Sequence, residues 1–578
     1  MKARYLAAVL LGLFAVLTLL DRFVLVELLL RRITIPFLLA AALALAMIGA
    51  GSVARRARRV DVPLDLLLGY PLFGTVCFLV ATLKISTWTM VPLLAICALA
   101  GVAMLLKRYA GDERPGATPL PPQPPLPPLH WSAFVVATVL TCGLVAAQAP
   151  PTSLDELAYH LAVPHTWVLE GRAVELPLLS HSYFPLGIES ADIVPLLLLG
   201  PSDGGVASHL LHLFAALAVT LLVARRTSSW LATAAIVSTP ALAITAGWSL
   251  VDWPLAGLFV ALWMALEDDD ANIAAIATAA GLLVKYTFAP FALIAYAMKR
   301  RVPRWPALLG LVFFVRNLVL TGNPFAPFLS ADAPHVSGYR ALALADYVFQ
   351  GSYADEALGA AIVILPVFAA GLLAIGSAAA AVALFFLAPS SRILVPFLVV
   401  PSASAAPELR RRVLRVLVAL AVIVQTFLVV WFTARSDAFS LLAGTASEQE
   451  YLQKQRPSTS AIAWLNATLP HDSRTLVVAH NELFWFTHPV RGGGNFDSPR
   501  ISRYLDVPAP EALRARLHAD GITHVAFIRS TIPTRVAGKR EERETVLSEP
   551  AQRMLAQLLD RYTASVTTRG PATVFTLR

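Results

Sequence analysis

The chain has 578 residues, of which 57% are hydrophobic and only 14% are charged. Soluble globular proteins have about a quarter charged residues, whereas apolar runs of about 20 residues, enough to cross a bilayer, recur here from Tyr5 to Thr433. This composition excludes an ordinary soluble protein and predicts an α-helical polytopic membrane protein with about 13 to 15 crossings. The net charge of +9 does not predict nucleic-acid binding, because the basic residues cluster in short loops, as cytoplasmic loops do.

The first 108 residues are predicted to form a four-helix membrane extension. Its predicted helices are Tyr5–Val26, Ile33–Gly51, Leu64–Leu83 and Met90–Leu106. Residues 109–130 form a predicted cytoplasmic linker, in which the proline-rich stretch Pro119–Leu129 favours an extended, semi-rigid chain.

Residues 131–435 are predicted to form the main membrane unit, with large outer loops at 150–192 and 321–359. The predicted spans and short helices within it are Trp131–Ala149, Val206–Ala224, Trp230–Ala246, Trp253–Leu266, Ile273–Lys285, Phe288–Ala297, Trp305–Leu320 and Val413–Phe432. Fixing the basic loops in the cytoplasm places both large loops on the opposite side of the membrane.

Residues 436–578 are predicted to form a small soluble α/β domain, because apolar runs shorten and charge rises from about Ser436 onwards. Helical spacing and buried-strand patterns alternate there. The predicted helices are Thr459–Leu469 and Glu511–Ala519, and the predicted strands are Arg474–Ala479, Thr523–Ile528 and Thr573–Leu577. Counting the crossings puts this domain on the same outer side as the 150–192 loop.

The segment DELAYHLAVP, from Asp155 to Pro164, brings two adjacent carboxylates to the predicted membrane edge. A carboxylate there can accept a proton from an attacking hydroxyl. Asp155 can equally cap a helix while Glu156 offsets the helix dipole. A helix from Asp155 to Leu161 would put Asp155 and Tyr159 on one face, with Glu156 and His160 on the adjacent face.

A metal site is a further possibility at Glu156 and His160, but a closed or catalytic site needs at least three protein ligands. No third ligand is indicated by the spacing, so no cofactor is predicted. In the turn SLVDWPL, Asp252 lies between Trp248 and Trp253, whose indoles are typical of the membrane interface. That interfacial role explains the tryptophans better than it explains the aspartate.

Two cations complete the candidate site. Lys285, in LLVKYTF, is a lone cation in an apolar run and should pair with an anion, unless it extends to the interface. Arg316, in VRNLVLTGNPF, can bind a phosphate through two hydrogen bonds or extend to the interface in the same way. Other polar residues of these segments are predicted to bind substrate: Tyr159, His160, Glu189, Asp252, Tyr286, Asn317 and Asn323.

In order and placement, LDELAYHLAVP, SLVDWPL, VKYTF and the RN…GNPF stretch resemble the motifs of GT-C class membrane glycosyltransferases. That class includes the bacterial aminoarabinose and lipopolysaccharide-core transferases and the protein O-mannosyltransferases. The resemblance covers roughly residues 131–435 and implies a GT-C-like core. The four preceding helices depart from the class, and Glu156 beside Asp155 leaves open which carboxylate is the base.

The resemblance implies that Asp155 (or Glu156) is the catalytic base, and that Lys285 and Arg316 bind the donor phosphate. The implied partners are a polyprenyl-phosphate-linked sugar donor, membrane lipids and an extracytoplasmic acceptor, with the protein in the plasma (inner) membrane. A lipid-linked sugar flippase or a non-catalytic envelope-assembly protein is the alternative. Transporters usually show paired repeats with broken helices, and no repeat is evident here.

Overall fold

The computed structural model describes residues 33–56, 60–109, 125–329, 359–368, 372–387, 391–478, 480–528, 534–536, 539–541 and 547–578. The predicted helix Tyr5–Val26, most of the predicted linker and most of the 321–359 loop lie outside the described residues.

Three long helices open the described chain. They are Ile35–Ala54, Val62–Leu83 and Thr87–Tyr109. Each lies within a few residues of a predicted helix. The first two pack closely because Gly69 has no side chain: a Cβ there would lie 1.8 Å from the carbonyl oxygen of Met47.

The main membrane unit is helical. Its helices are Trp131–Ala147, Ala162–Glu170, Ile193–Thr227, Trp230–Val237, Pro240–Ala243, Asp252–Glu267, Ala271–Leu282, Phe288–Met298, Val312–Thr321, Ala360–Ile364, Leu372–Leu387, Ser391–Ser404 and Arg412–Arg435. The Ile193–Thr227 helix is longer than the predicted Val206–Ala224 because a kink joins two helices at Gly200, whose φ of 75° suits a residue without a side chain.

The predicted span Trp230–Ala246 is broken in the middle. The structure divides it into Trp230–Val237 and Pro240–Gly247, which meet at a bend of 73°. Pro240 lacks a backbone N–H and disfavours helical geometry at Thr239, whose ψ is 118°. Pro240 therefore indicates this break from the sequence alone.

Five helices in the described part of the chain are long and apolar enough to cross a membrane, or six if the bent pair counts as one span. Shorter apolar helices pack among them, including Trp131–Ala147 and Ala271–Leu282. The predicted polytopic helical architecture is confirmed.

The predicted C-terminal α/β fold is confirmed as well. Its helices are Ala438–Leu442, Glu448–Gln455, Ser458–Thr468, Ser498–Leu505, Pro510–Ala519 and Glu549–Tyr562. Its strands are β1 (Thr475–Val478), β2 (Val490–Gly492), β3 (His524–Ile528), β4 (Thr534–Val536), β5 (Lys539–Glu541), β6 (Thr563–Arg569) and β7 (Ala572–Leu577).

Five strands form one sheet in the order β2-β1-β3-β7-β6, and β4 pairs with β5 separately. β1 runs parallel to both β2 and β3, whereas β7 runs antiparallel to β3 and β6. The three predicted strands correspond to β1, β3 and β7 of the structure. β6 was missed because its side chains are largely exposed and give no buried-strand pattern.

The C-terminal domain packs directly on the 150–192 loop. Leu178 of the loop belongs to the domain's hydrophobic core. Glu170 forms ion pairs with Arg474 at 2.6 Å and with Arg491 at 2.7 Å. The backbone N–H of Leu483 donates to the carbonyl of Leu157 at 2.8 Å. These contacts fix the loop that carries the candidate site.

Candidate functional site

A π turn organises the start of the 150–192 loop. It spans Glu156–His160, and the N–H of Leu161 donates to the carbonyl of Glu156 at 3.0 Å. The segment is therefore helical, but with the wider spacing of a π turn in place of α-helical spacing. π turns are wider than α turns and occur frequently at functional sites.

The two adjacent acids have different surroundings. Asp155 keeps about a third of its side chain exposed, at 36%, whereas Glu156 is fully buried. Glu156 accepts hydrogen bonds from the backbone N–H groups of Ser153 and Ser249 and from the imidazole of His209. Those bonds tie Glu156 into the fold, so Asp155 is the acid that an entering substrate can reach.

Arg392 joins two acids that are far apart in the chain. Its Nη1 donates to Oδ2 of Asp155 at 2.6 Å, and its Nη2 donates to Oδ2 of Asp252 at 2.9 Å. Arg392 lies near the start of the Ser391–Ser404 helix, and Asp252 is the first residue of the Asp252–Glu267 helix. Three separate segments thus converge on one guanidinium group.

Lys285 belongs to the same group of charges. It lies between the Ala271–Leu282 and Phe288–Met298 helices and is half-buried. Among the charged side chains around it, Asp252 has the strongest electrostatic interaction with Lys285, followed by Arg392 and Asp155. Within the part of the chain that the structure describes, its ammonium makes no hydrogen bond or ion pair. We call Asp155, Asp252, Lys285 and Arg392 the Arg392 cluster.

The cluster keeps Asp155 ionised. Burial alone would raise the pKa of the Asp155 carboxyl, but the charge and hydrogen bond of Arg392, with smaller effects of His181 and Lys285, hold that pKa below its ordinary value. Asp252 is buried, and its Oδ1 has no hydrogen-bond partner among the described residues. Among the described residues, the cluster therefore contains an ionised acid, an acceptor oxygen without a hydrogen bond and a cation without an ion pair.

Aromatic rings pack beside Asp155. Tyr159 stacks on His181 with ring centres 4.1 Å apart, and His181 packs on Phe496 of the C-terminal domain at 4.3 Å. Burial lowers the pKa of His181 to about 4, although the charge of Asp155 opposes this, so the ring is neutral at pH 7. His160 makes a buried hydrogen bond to Glu189 at 2.9 Å. His160 and Glu156 thus hydrogen-bond to different side chains.

Other predicted site residues gather around the backbone of Tyr183 instead. The side-chain amide of Asn317 donates to the carbonyl of Tyr183 at 2.6 Å, and the hydroxyl of Tyr286 donates to the same carbonyl at 3.0 Å. Arg316 donates to the carbonyl of Ser182 at 2.8 Å and lies over the Tyr183 ring. We call Tyr183, Tyr286, Arg316 and Asn317 the Tyr183 anchor.

The anchor is distinct from the Arg392 cluster. The charged and ionisable groups that act on Arg316 are Tyr183, Tyr286 and Glu175, and none of them belongs to the cluster. Asn323 holds the turn that follows, by donating to the carbonyl of Phe328 at 2.6 Å. Phosphate binding by Arg316 and substrate binding by Asn317 and Asn323 stay predictions without a supporting contact.

Sequence reasoning missed Arg392. A signal was present, because the motif SSRILVPFL places a single cation before an apolar run, as VKYTF does for Lys285. No group of three or more histidine, cysteine or carboxylate side chains among the described residues could hold a metal ion.

Comparisons with known proteins add little. No protein-family model and no curated protein sequence matches the chain. Among solved structures, ArnT from Cupriavidus metallidurans bound to undecaprenyl phosphate is 13% identical, with a TM-score of 0.49, covering 77% of this chain and 97% of that one. Its apo state is 14% identical, with a TM-score of 0.45 and the same coverage. Matches this distant support no inference about the reaction.

Proposed function

We propose that the chain is a membrane glycosyltransferase that moves a sugar from a polyprenyl-phosphate donor to an acceptor outside the cytoplasm. The observation that carries the proposal is the Arg392 cluster, in which two carboxylates and two cations from four segments meet where the 150–192 loop packs on the helices. A transfer from a lipid phosphate needs a base for the acceptor and positive charge for the leaving group.

Asp155 is the proposed base. Its Oδ2 is held by Arg392, while its partly exposed side chain leaves the other oxygen available to an acceptor hydroxyl. The lowered pKa of Asp155 keeps it ionised and able to accept a hydrogen bond. The hydroxyl oxygen attacks the anomeric carbon, its proton passes to Asp155, and the bond from that carbon to the phosphate oxygen breaks.

Lys285 is the proposed phosphate ligand. The leaving polyprenyl phosphate takes the electron pair of the broken bond, so negative charge grows on its oxygen during the reaction. Lys285 is half-buried and has no hydrogen bond to another described side chain, so an incoming phosphate need not displace a partner. A cation placed beforehand stabilises such developing charge strongly where water is scarce.

Asp252 is the proposed orienting residue. Its Oδ2 accepts from Arg392, and its buried Oδ1 is available to accept a hydrogen bond from a sugar hydroxyl. A buried acceptor without a partner has an energetic cost that a bound hydroxyl removes. Arg392 then positions both acids at a fixed separation.

The test is release of free polyprenyl phosphate from a donor that carries a radiolabelled sugar. Purified wild-type protein in proteoliposomes should release the lipid phosphate and transfer the label to an acceptor present in an envelope extract. Asp155→Asn should do neither, while it melts at the wild-type temperature. A wild-type protein that leaves the sugar–phosphate bond intact would refute the proposal.

The 73° bend between Trp230–Val237 and Pro240–Gly247 favours a second candidate, a lipid-linked sugar flippase. Broken helices are typical of transporters. The same proteoliposomes distinguish the two, because a flippase moves the labelled donor to the other leaflet without cleaving it.

A further inference from the structure

A cavity of about 330 Å³ lies beside the start of the 150–192 loop. Its walls come from the Trp131–Ala147 helix, the Arg412–Arg435 helix, the bent segment near Ile244 and the first part of the C-terminal domain. Its volume is at the lower end of the range for small-ligand sites, about 300–1,000 Å³. Trp431, which is 47% exposed, lines it and shows that the cavity reaches the protein surface.

The cavity is separate from the Arg392 cluster, and none of the four cluster residues lines it. Glu156 lies between the two, because it accepts hydrogen bonds from His209, which lines the cavity, and from the N–H of Ser249. Trp248 lines the cavity, whereas Asp252, a few residues further on, faces Arg392.

One residue of the cavity wall has a buried hydrogen-bonding atom without a partner among the described residues. His209 is 1% exposed, and its Nδ1 has no hydrogen-bond partner among the described residues. Both carboxylate oxygens of Glu156 accept from backbone N–H groups, so we assign the Nε2 of His209 as the donor in their 2.8 Å contact. The Nδ1 of a neutral imidazole in this tautomer is an acceptor.

A cation lies at the opening of the cavity. Arg435 lines it, is exposed, and packs over the ring of Trp431 at 4.9 Å. No carboxylate of the described residues pairs with Arg435 within salt-bridge distance. Arg435 ends the Arg412–Arg435 helix, a candidate span, so its guanidinium group lies where phospholipid headgroups meet water.

We propose that this cavity binds the headgroup of an anionic phospholipid that carries a free hydroxyl. The phosphate binds Arg435, the headgroup hydroxyl donates to Nδ1 of His209, and the acyl chains follow the exposed apolar faces of the two helices into the bilayer. A choline headgroup has no hydroxyl and adds a cation beside Arg435, so it fits poorly. The proposal does not depend on the transferase reaction.

The first test compares phospholipids on the wild-type protein. Full-length protein, stripped of lipid in detergent, is titrated with phosphatidylglycerol, phosphatidylmethanol or phosphatidylcholine, and binding is measured by native mass spectrometry and thermal shift. Phosphatidylmethanol has the same charge but no hydroxyl. Phosphatidylglycerol should bind on the order of tenfold more tightly than phosphatidylmethanol, as one buried hydrogen bond allows. Equal binding of these two lipids would overturn the proposal.

The second test uses matched variants of one helix. Ala146→Trp fills the cavity and should abolish the preference for phosphatidylglycerol, whereas Ala137→Trp, on the exposed face of the same helix, should retain it. His209→Gln should keep a donor towards Glu156 and lose the selectivity for the hydroxyl. Arg435→Gln should weaken phosphatidylglycerol and phosphatidylmethanol alike. Wild-type selectivity in Ala146→Trp would show that the lipid binds elsewhere and would contradict the proposal.

Discussion

The Arg392 cluster and the Tyr183 anchor use similar residues for different purposes. In the anchor, Nη2 of Arg316 and Nδ2 of Asn317 donate to backbone carbonyls of the 150–192 loop and hold it, while Nη1 of Arg316 and Oδ1 of Asn317 have no hydrogen-bond partner among the described residues. In the cluster, Lys285 and Oδ1 of Asp252 have no hydrogen-bond partner within the described ranges. The two cations differ in what they hold: Arg316 ties the loop to its helix through a backbone carbonyl, whereas Lys285 makes no hydrogen bond within the described ranges.

The adjacent acids give the largest expected contrast. Asp155→Asn should lower kcat by about 10²–10⁴-fold, because the amide cannot accept the acceptor's proton, while the melting temperature stays near wild type. Glu156→Gln should instead lower the melting temperature, because it weakens buried bonds to His209 and Ser249. Transfer assays and melting curves of both variants check this. A fully active Asp155→Asn protein would remove the cluster from the chemistry.

The two cations give the next contrast. Lys285→Gln should weaken binding of the lipid-phosphate donor by about 10- to 100-fold, as expected for loss of a charge-assisted contact of about 1.5–3 kcal/mol. Arg316→Gln should lower stability with a much smaller change in donor affinity. Titration with polyprenyl phosphate measures both. Equal losses of affinity would mean that the anchor and the cluster do not differ as described.

Arg392 should control the pH dependence of the transfer reaction. It lowers the pKa of Asp155 against the effect of burial, so the ionised base persists to low pH in the wild type. Arg392→Gln removes that charge and leaves burial, which raises the pKa and moves the acidic limb of the kcat/KM profile to higher pH. Arg392→Lys should restore part of the shift. An unmoved limb in Arg392→Gln would contradict the base assignment.

The anchor should affect stability rather than rate. Asn317 is fully buried, and Asn317→Ala leaves the carbonyl of Tyr183 with fewer donors, which should cost about 1–3 kcal/mol. Asn323→Ala, in an exposed turn, should cost less than about 1 kcal/mol. Thermal melting of the two variants, with kcat measured below the transition, separates the effects. A large loss of kcat without a loss of stability would place Asn317 in the site.

An effect on stability that depends on pH, without an effect on rate, is expected where the C-terminal domain meets the loop. Asp497 accepts from the N–H of Ser180 at 2.6 Å, and burial raises the pKa of Asp497 to about 6. The folded state therefore holds this proton more tightly than the unfolded chain, and the stability it contributes falls as pH rises from about 4 to 6. Asp497→Asn should remove that part of the pH dependence, at most about 3 kcal/mol. An unchanged dependence of melting temperature on pH would contradict this.

The apolar runs of the sequence predicted most helix positions closely. Trp131–Ala149 became Trp131–Ala147, and Val413–Phe432 became Arg412–Arg435, because about 20 apolar residues admit few arrangements in a bilayer. In the C-terminal domain, the predicted strands correspond to β1, β3 and β7, and the short strand β2, of three residues, was not predicted although it is largely buried. The exposed strand β6 was missed because a solvent-facing strand has no apolar period to detect.

The site could be predicted only in part. Asp155, Asp252 and Lys285 stood out because each is a charge next to an apolar run. Arg392 lies 237 residues from Asp155, and no local pattern specifies such a pairing. The π turn at Glu156–His160 also has no periodic signal in the sequence. The partial exposure of Asp155 and the full burial of Glu156 depend on tertiary contacts, which the sequence does not display.

The position of a bound lipid phosphate tests the central claim most directly. A cryo-electron microscopy structure of the protein with polyprenyl phosphate in nanodiscs would locate it. We expect the phosphate at hydrogen-bond distance from Lys285, next to Arg392, with Asp155 facing the phosphate oxygen that carries the sugar in the donor. A phosphate bound at Arg316, with the Arg392 cluster closed to it, would contradict the account.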